Sequence, residues 1–216
     1  MFVSASLVGP ICAAAATAAL SSWCAGRAWR SDPALRHSVM PTAPKAALLL
    51  GCIVAASNTA AATSFGWHAV LAASFGVCLG IVCFSDASAY IIPDVCLATL
   101  VCLAAGALAF GRPVLDASDV VLSGVCATVM MGPLVMCSAR TGRDGPVFAL
   151  GDYKIMWALT LFLPAPVYLG AVVVCAPVAL LWLVVSRTRA LPFGAILSIS
   201  VPAAFFSVPS FLEVYL

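Results

Sequence analysis

Charge is what this sequence has least of. Only 8% of its 216 residues are Asp, Glu, Lys or Arg, against 64% hydrophobic residues and a mean hydropathy of +1.15. A soluble domain carries roughly a quarter of its residues as charges to cover its surface. A water-facing globule is therefore excluded, and lipid is expected as the main solvent. Histidine is scarce as well. His37 falls in a loop and His68 near a span on the opposite side, and no H-E-x-x-H or G-x-S-x-G pattern occurs, which removes the usual zinc and serine routes to hydrolysis. The ten cysteines include no C-x-x-C pair. Scattered through apolar segments, they read as small apolar side chains and not as metal ligands or a redox couple. Neither a metal nor a cofactor is expected. The net charge of +2 comes with no basic patch interleaved with aromatics, so nucleic acid is not expected as a partner.

Long apolar runs dominate what remains. They lack the period-2 alternation of barrel strands, and hydrocarbon cannot satisfy an open backbone, so the spans must be helices. With about 20 mostly apolar residues needed per crossing, spans are expected near residues 5–24, 46–63, 67–85, 95–110, 118–137, 151–164, 167–185 and 193–212. The sixth is short, with its end set around Pro164 and Pro166. The expected fold is an all-α, polytopic membrane helix bundle of about eight transmembrane helices, seven if that short segment does not cross. It forms a single domain over residues 1–216.

Basic residues set the orientation. Arg27, Arg30, Arg36 and Lys45 fall between the first two spans, Arg140 and Arg143 between the fifth and sixth, and Arg187 and Arg189 between the last two; Arg112 alone falls on the opposite side. The positive-inside asymmetry places these loops and the segment from Asp86 to Asp94 in the cytoplasm and both termini outside it. No positive charge precedes the first apolar run, and Arg27 and Arg30 follow it, which fits a retained helix better than a cleaved leader. The polar stretch at 25–45 is expected as a short cytoplasmic loop, with no separate domain.

Most of the carboxylates, Asp32, Asp94, Asp116, Asp119, Asp144 and Glu213 among them, fall in loops or near span ends. Asp86 and Asp152 differ, because each stands where a long apolar helix meets the cytoplasmic side. An ionisable group at such a depth is costly unless it is paired or faces water, which makes it a candidate functional residue. Position alone leaves plainer roles open: Asp152, after Gly151, as a helix cap, Lys154 as its ion-pair partner or a snorkelling side chain, and Asp94, after Pro93, as an N-cap.

The local sequence goes further. Asp86-Ala-Ser-Ala-Tyr-Ile-Ile-Pro93-Asp94 resembles the first catalytic segment of the prepilin peptidases, in which an aspartate is followed seven residues later by proline and then by Asp or Asn. Leu150-Gly151-Asp152-Tyr153-Lys154 resembles their second motif, G-x-G-D-x-K, with Ala149 where the first glycine is expected. Leu191-Pro192-Phe193-Gly194 matches a Pro-Phe-Gly segment at the start of the last helix. The resemblance covers residues from about 67 to 212. It implies a GxGD-type intramembrane aspartic endopeptidase with Asp86 and Asp152 as its catalytic pair, and Gly151, Lys154, Pro93, Asp94, Pro192, Phe193 and Gly194 in support. The implied substrate is a type IV pilin-like precursor whose short basic leader is removed at the cytoplasmic face of a bacterial inner membrane. The longer members carry an insert with paired C-x-x-C motifs associated with methylating the new N-terminus; residues 27–45 hold none, so methyl transfer is not expected.

Two carboxyl groups sharing a water can hydrolyse a peptide without a metal, one accepting a proton from water while the other donates to the carbonyl oxygen. Two other classes of function remain beside this one: a small proton-coupled transporter using the same aspartates, and an inactive assembly subunit of a pilus or secretion system.

Overall fold

The computed structural model describes residues 3–31, 44–110, 114–140, 150–186 and 191–215. Among the described residues there are eight α-helices and no strand: α1 (Val3–Ser31), α2 (Pro44–Ser64), α3 (Ala69–Ala89), α4 (Asp94–Ala109), α5 (Ala117–Arg140), α6 (Leu150–Leu159), α7 (Ala165–Ser186) and α8 (Phe193–Tyr215). Each expected span coincides with one helix. Among the described residues, three helical stretches are long and apolar enough to cross a membrane: Lys45–Ser64, Ala69–Ala89 and Ala165–Trp182.

Three boundaries differ from expectation. The sixth segment ends as a helix at Leu159, five residues early. Amides 160, 161 and 162 bond the carbonyls of Trp157, Ala158 and Leu159 three residues back, tightening the chain into a 3₁₀-like turn. Pro164 then has no N–H to give and disfavours helical geometry at Leu163. Ten residues rise about 15 Å, half of the roughly 30 Å hydrocarbon core. Second, α1 continues to Ser31 and α2 begins at Pro44. Arg27 and Arg30 are thus helical, so the segment expected as a loop over 25–45 starts and ends inside helices; alanine and arginine are good helix formers, and nothing breaks the helix before Ser31. Third, α3 runs past its expected end at 85 and takes Asp86 into its last turn.

The chain divides into two compact units, Met1–Cys96 and Leu97–Leu216. In the first, α1, α2 and α3 pack on one another. The α2–α3 contact is nearly backbone to backbone. A Cβ placed on Gly51 would meet the Gly80 carbonyl oxygen at 2.7 Å, one on Gly80 would meet the Gly51 carbonyl oxygen at 2.6 Å, and one on Gly76 would meet the Ala55 carbonyl oxygen at 2.5 Å and the Thr59 hydroxyl. Gly76 and Gly80 form a G-x-x-x-G step, the spacing by which helices approach closely where lipid offers no hydrophobic drive. Thr59 Oγ1 donates to Ala55 O at 2.8 Å and reaches Ala72 O at 3.4 Å, and the Cys52 thiol reaches Ala14 O of α1 at 3.4 Å.

In the second unit, α5 packs on α6 and α7, α7 packs along α8, and α8 touches α6. Large side chains fill this core: Ile155, Met156, Leu159, Phe162, Leu163 and Tyr168 are all fully buried. The Ser123 hydroxyl of α5 donates to Leu163 O at 2.9 Å, anchoring the turn that ends α6.

Candidate functional site

Asp86 heads a buried stripe on α3. Phe75, Leu79, Val82 and Asp86 follow at helical spacing on one face and are all buried, the aspartate being 3% exposed. Cys83, one turn before Asp86 on the same helix, is also buried. The helix closes immediately beyond. The Tyr90 amide donates to the Asp86 carbonyl at 2.9 Å, and Tyr90 takes a left-handed conformation (φ 54°, ψ 37°). A side chain in that region is unfavourable by roughly 1–2 kcal/mol; glycine is the usual residue at such a helix end. Residues 91–93 are irregular before α4 opens at exposed Asp94, where the Cys96 amide bonds Pro93 O at 3.0 Å. The expected bend at Pro93 is therefore present, and the aspartate precedes it by two helical turns.

Asp152 occupies the opposite kind of position. It lies in the first turn of α6, 4% exposed, between half-buried Gly151 and Tyr153, while Lys154 is exposed. Its carboxyl lies near enough to the Cys175 side chain of α7 for its charge to bear on that thiol. Cys175 and Ser200 are both buried, and the Ser200 hydroxyl donates to Ile196 O at 2.9 Å. The Pro192-Phe193-Gly194 segment belongs to the same unit. It opens α8, its residues lie in a run buried without a break from Leu191 to Ser198, and the Ser198 hydroxyl donates to Gly194 O at 2.7 Å. The α6–α8 contact thus joins the helix carrying the second motif to the helix carrying the third.

Of the residues singled out from sequence, Asp86, Pro93 and Asp94 belong to Met1–Cys96; Gly151, Asp152, Lys154, Pro192, Phe193 and Gly194 belong to Leu97–Leu216. Ala149 and His37 lie outside the described residues. His68 is an exposed cap of α3, its Nδ1 accepting from the Val70 amide at 3.4 Å. Sequence reasoning passed over Cys83, although its three-residue spacing from Asp86 puts both on one helical face. It also passed over Cys175, for which no local signal exists because it comes near Asp152 from another helix. Among the described residues, no three His, Cys, Asp or Glu side chains gather as a metal site. An apolar cavity of about 570 Å³ in the second unit is lined by Val101, Leu108, Leu115, Asp116, Val121 and Leu161, among others, and by none of the motif residues.

Comparison with protein-family models, with curated proteins and with solved structures found no match to this chain.

Proposed function

We propose that this protein is an intramembrane aspartic endopeptidase that removes the leader of pilin-like precursors at the cytoplasmic face of a bacterial inner membrane. The single observation that carries the proposal is that the two aspartates in the motif-like segments are the two buried carboxylates among the described residues, at 3% and 4% exposure. Carboxylates are seldom fully buried, and buried titratable groups are where proton-transfer chemistry is commonly placed. Membrane residence is supported by the outward side chains of the helices. On α7, Val184 is 75% exposed, with Leu180, Leu181 and Val173 also outward, and Phe110, just past the end of α4, is 88% exposed. Such surfaces are costly in water and ordinary in lipid.

The reaction needs no group from outside the chain and its substrates. One ionised carboxylate takes a proton from water as the water oxygen attacks the scissile carbonyl, and the second carboxyl gives its proton to the carbonyl oxygen. The tetrahedral intermediate then collapses. The C–N bond breaks, the amine leaves with the proton held by the first carboxyl, and the second recovers its proton from the intermediate's hydroxyl. Both aspartates end as they began. A short basic leader ahead of an apolar helix would bring its scissile bond to the membrane edge, where both aspartate-bearing helix ends are expected.

The test is cleavage of a pilin-like precursor by the purified full-length protein in lipid. A positioned acid or base contributes roughly 10²–10⁴-fold, so Asp86→Asn and Asp152→Asn are each expected to lower the rate by about that factor with membrane level unchanged. Processing near the parent rate by either variant would remove that residue from the mechanism. The mass of the product also reports on methyl transfer: a mature chain lighter by the leader alone is expected, with no added methyl group.

A further inference from the structure

We infer that the apolar cavity of the second unit is a binding site for one phospholipid, its acyl chain in the cleft and its ammonium headgroup on Asp116. The site is separate from both aspartates of the motifs. It rests on the membrane reading and needs none of the peptidase chemistry. It arises on a helix that is covered over only part of its length. Leu97 and Leu100 of α4 are buried, but no residue from Val101 to Ala109 is. Along that stretch the facing walls are the chain just before α5, the first turns of α5, and Leu161 of the turn that ends α6. The side chains between them are small, Ala104 and Ala105 on α4 and Ala117 on α5, and they leave a cavity of about 570 Å³. Because Leu161 belongs to that turn, an occupant also packs against the element that closes the helix of Asp152.

Size and lining decide what enters. Proteins keep few voids larger than a water molecule, because an unfilled wall forfeits its dispersion contacts. Water is a poor filler here, since it needs polar partners that an apolar wall does not offer. Sites that enclose a small molecule measure roughly 300–1,000 Å³, and this one falls among them. Val101, Leu108 and Val121 line it and are between 49% and 66% exposed, so it opens to its surroundings. In a membrane those surroundings are acyl chains. From Val101 to Leu108 the wall of α4 runs about 10 Å at 1.5 Å per residue. A helix about 10 Å across fills roughly 800 Å³ over that length, more than the cavity holds. An acyl chain is thinner than any helix and enters whole.

The headgroup supplies the preference. Moving a chain from the bilayer into the cleft brings no hydrophobic gain, because lipid is as apolar as the wall. Asp116 lines the cavity where the chain turns into α5 and is exposed. Its backbone carbonyl accepts from the Val120 amide at 3.1 Å, while its carboxylate makes no hydrogen bond or ion pair with another described residue. Asp119, half-buried in the first turn of α5, adds a second negative charge. The phosphate is common to ethanolamine and glycerol phospholipids. A basic residue such as Arg112, four positions earlier in sequence and outside the described residues, therefore does not discriminate between them. The ammonium does, and the carboxylate of Asp116 favours the lipid that carries it.

The experiment places the full-length protein in vesicles of equal phosphatidylethanolamine and phosphatidylglycerol at low salt. A photoreactive phenylalanine analogue substituted for Leu108 is illuminated, and its adducts are identified by mass. The same analogue substituted for Val184, an outward residue of α7, reads the surrounding lipid. At position 184 the two lipids are expected in the supplied proportion. At position 108 the ethanolamine lipid is expected to be enriched by about two- to fivefold, the range of an exposed ion pair, and Asp116→Asn is expected to abolish the enrichment. Equal proportions at the two positions overturn the site, as do adducts at 108 formed mainly with a second copy of the chain or with an added pilin-like precursor. A second measurement fills the cleft. Ala105 is exposed, so Ala105→Phe is accommodated by the fold. Native mass spectrometry after release into detergent is expected to find one ethanolamine lipid retained by the parent and none by this variant; equal retention overturns the site. A chain that does not enter vesicles at all loses the membrane reading and this site together, whereas one that enters and shows no enrichment loses the site alone.

Discussion

The two units place their aspartates by opposite means. In Met1–Cys96 the helices meet through absent side chains: Gly51, Gly76 and Gly80 let α2 and α3 touch backbone to backbone, and Asp86 sits at the end of a 21-residue helix fixed along its length. In Leu97–Leu216 the helix carrying Asp152 is ten residues long and is held by large side chains and by the turn at its far end. An isolated helix of ten residues is marginal, so its persistence depends on tertiary packing. The contrast teaches that one carboxylate is positioned by close approach and the other by filled volume. The two halves should therefore fail under opposite substitutions.

The largest effect is expected where volume is removed from the second unit. Phe162 is fully buried in the turn after α6. Phe162→Ala is expected to destabilise by about 3–5 kcal/mol, the usual range for a buried phenylalanine, read as a lowered apparent Tm of the protein in detergent. If the change costs nothing, the turn is not what holds α6.

Adding volume is expected to break the first unit. Gly80→Leu places a side chain where even a Cβ would lie 2.6 Å from a backbone oxygen, and the helices must separate. Overpacking costs about 1–3 kcal/mol and occasionally more; the Gly51 backbone oxygen at 2.6 Å, with the Ala55 and Thr17 side chains at 2.8 Å, puts this site at the upper end. Gly106 of α4 supplies the control, because nothing stands within 4 Å of the position a Cβ would take there. Gly106→Leu is expected to be neutral or to stabilise by up to about 1 kcal/mol through helix propensity. Equal loss at both positions would dissolve the comparison.

These differences also explain how much could be read in advance. The eight helices were legible because long apolar runs are the strongest signal a sequence carries. The aspartates were legible because a carboxylate at the end of such a run is rare and because the residues around each follow a pattern. What the sequence hid was local geometry. That Asp86 lies inside α3 depends on the chain remaining helical through Ser85–Ala89 and closing at a left-handed Tyr90, a conformation ordinarily signalled by glycine. The early end of α6 depends on bonds to the third residue back at 160–162, which Pro164 hints at but does not fix. The pairing of Gly51 with Gly80, and the reach of Cys175 toward Asp152, join residues far apart in sequence, and no periodicity reports such contacts.

The smallest predicted effect sharpens the comparison by its sign. Each unit buries a hydroxyl completely, Thr17 on α1 in the first and Ser123 on α5 in the second. Ser123 donates to the Leu163 carbonyl, whereas the Thr17 Oγ1 has no hydrogen-bond partner among the described residues. Removing a partnered hydroxyl loses the bond and leaves a buried carbonyl with less to accept, while removing an unpartnered one relieves a desolvated polar group. Ser123→Ala is therefore expected to destabilise by about 1 kcal/mol. Thr17→Val, which keeps the shape and removes only the hydroxyl, is expected to leave stability unchanged or raise it slightly. Apparent Tm values of the two variants, measured side by side in one detergent, decide the matter. A Thr17→Val loss as large as that of Ser123→Ala would mean that the Thr17 hydroxyl is bonded in the folded protein, adding a third polar contact to those that Cys52 and Thr59 already make between helices of the first unit.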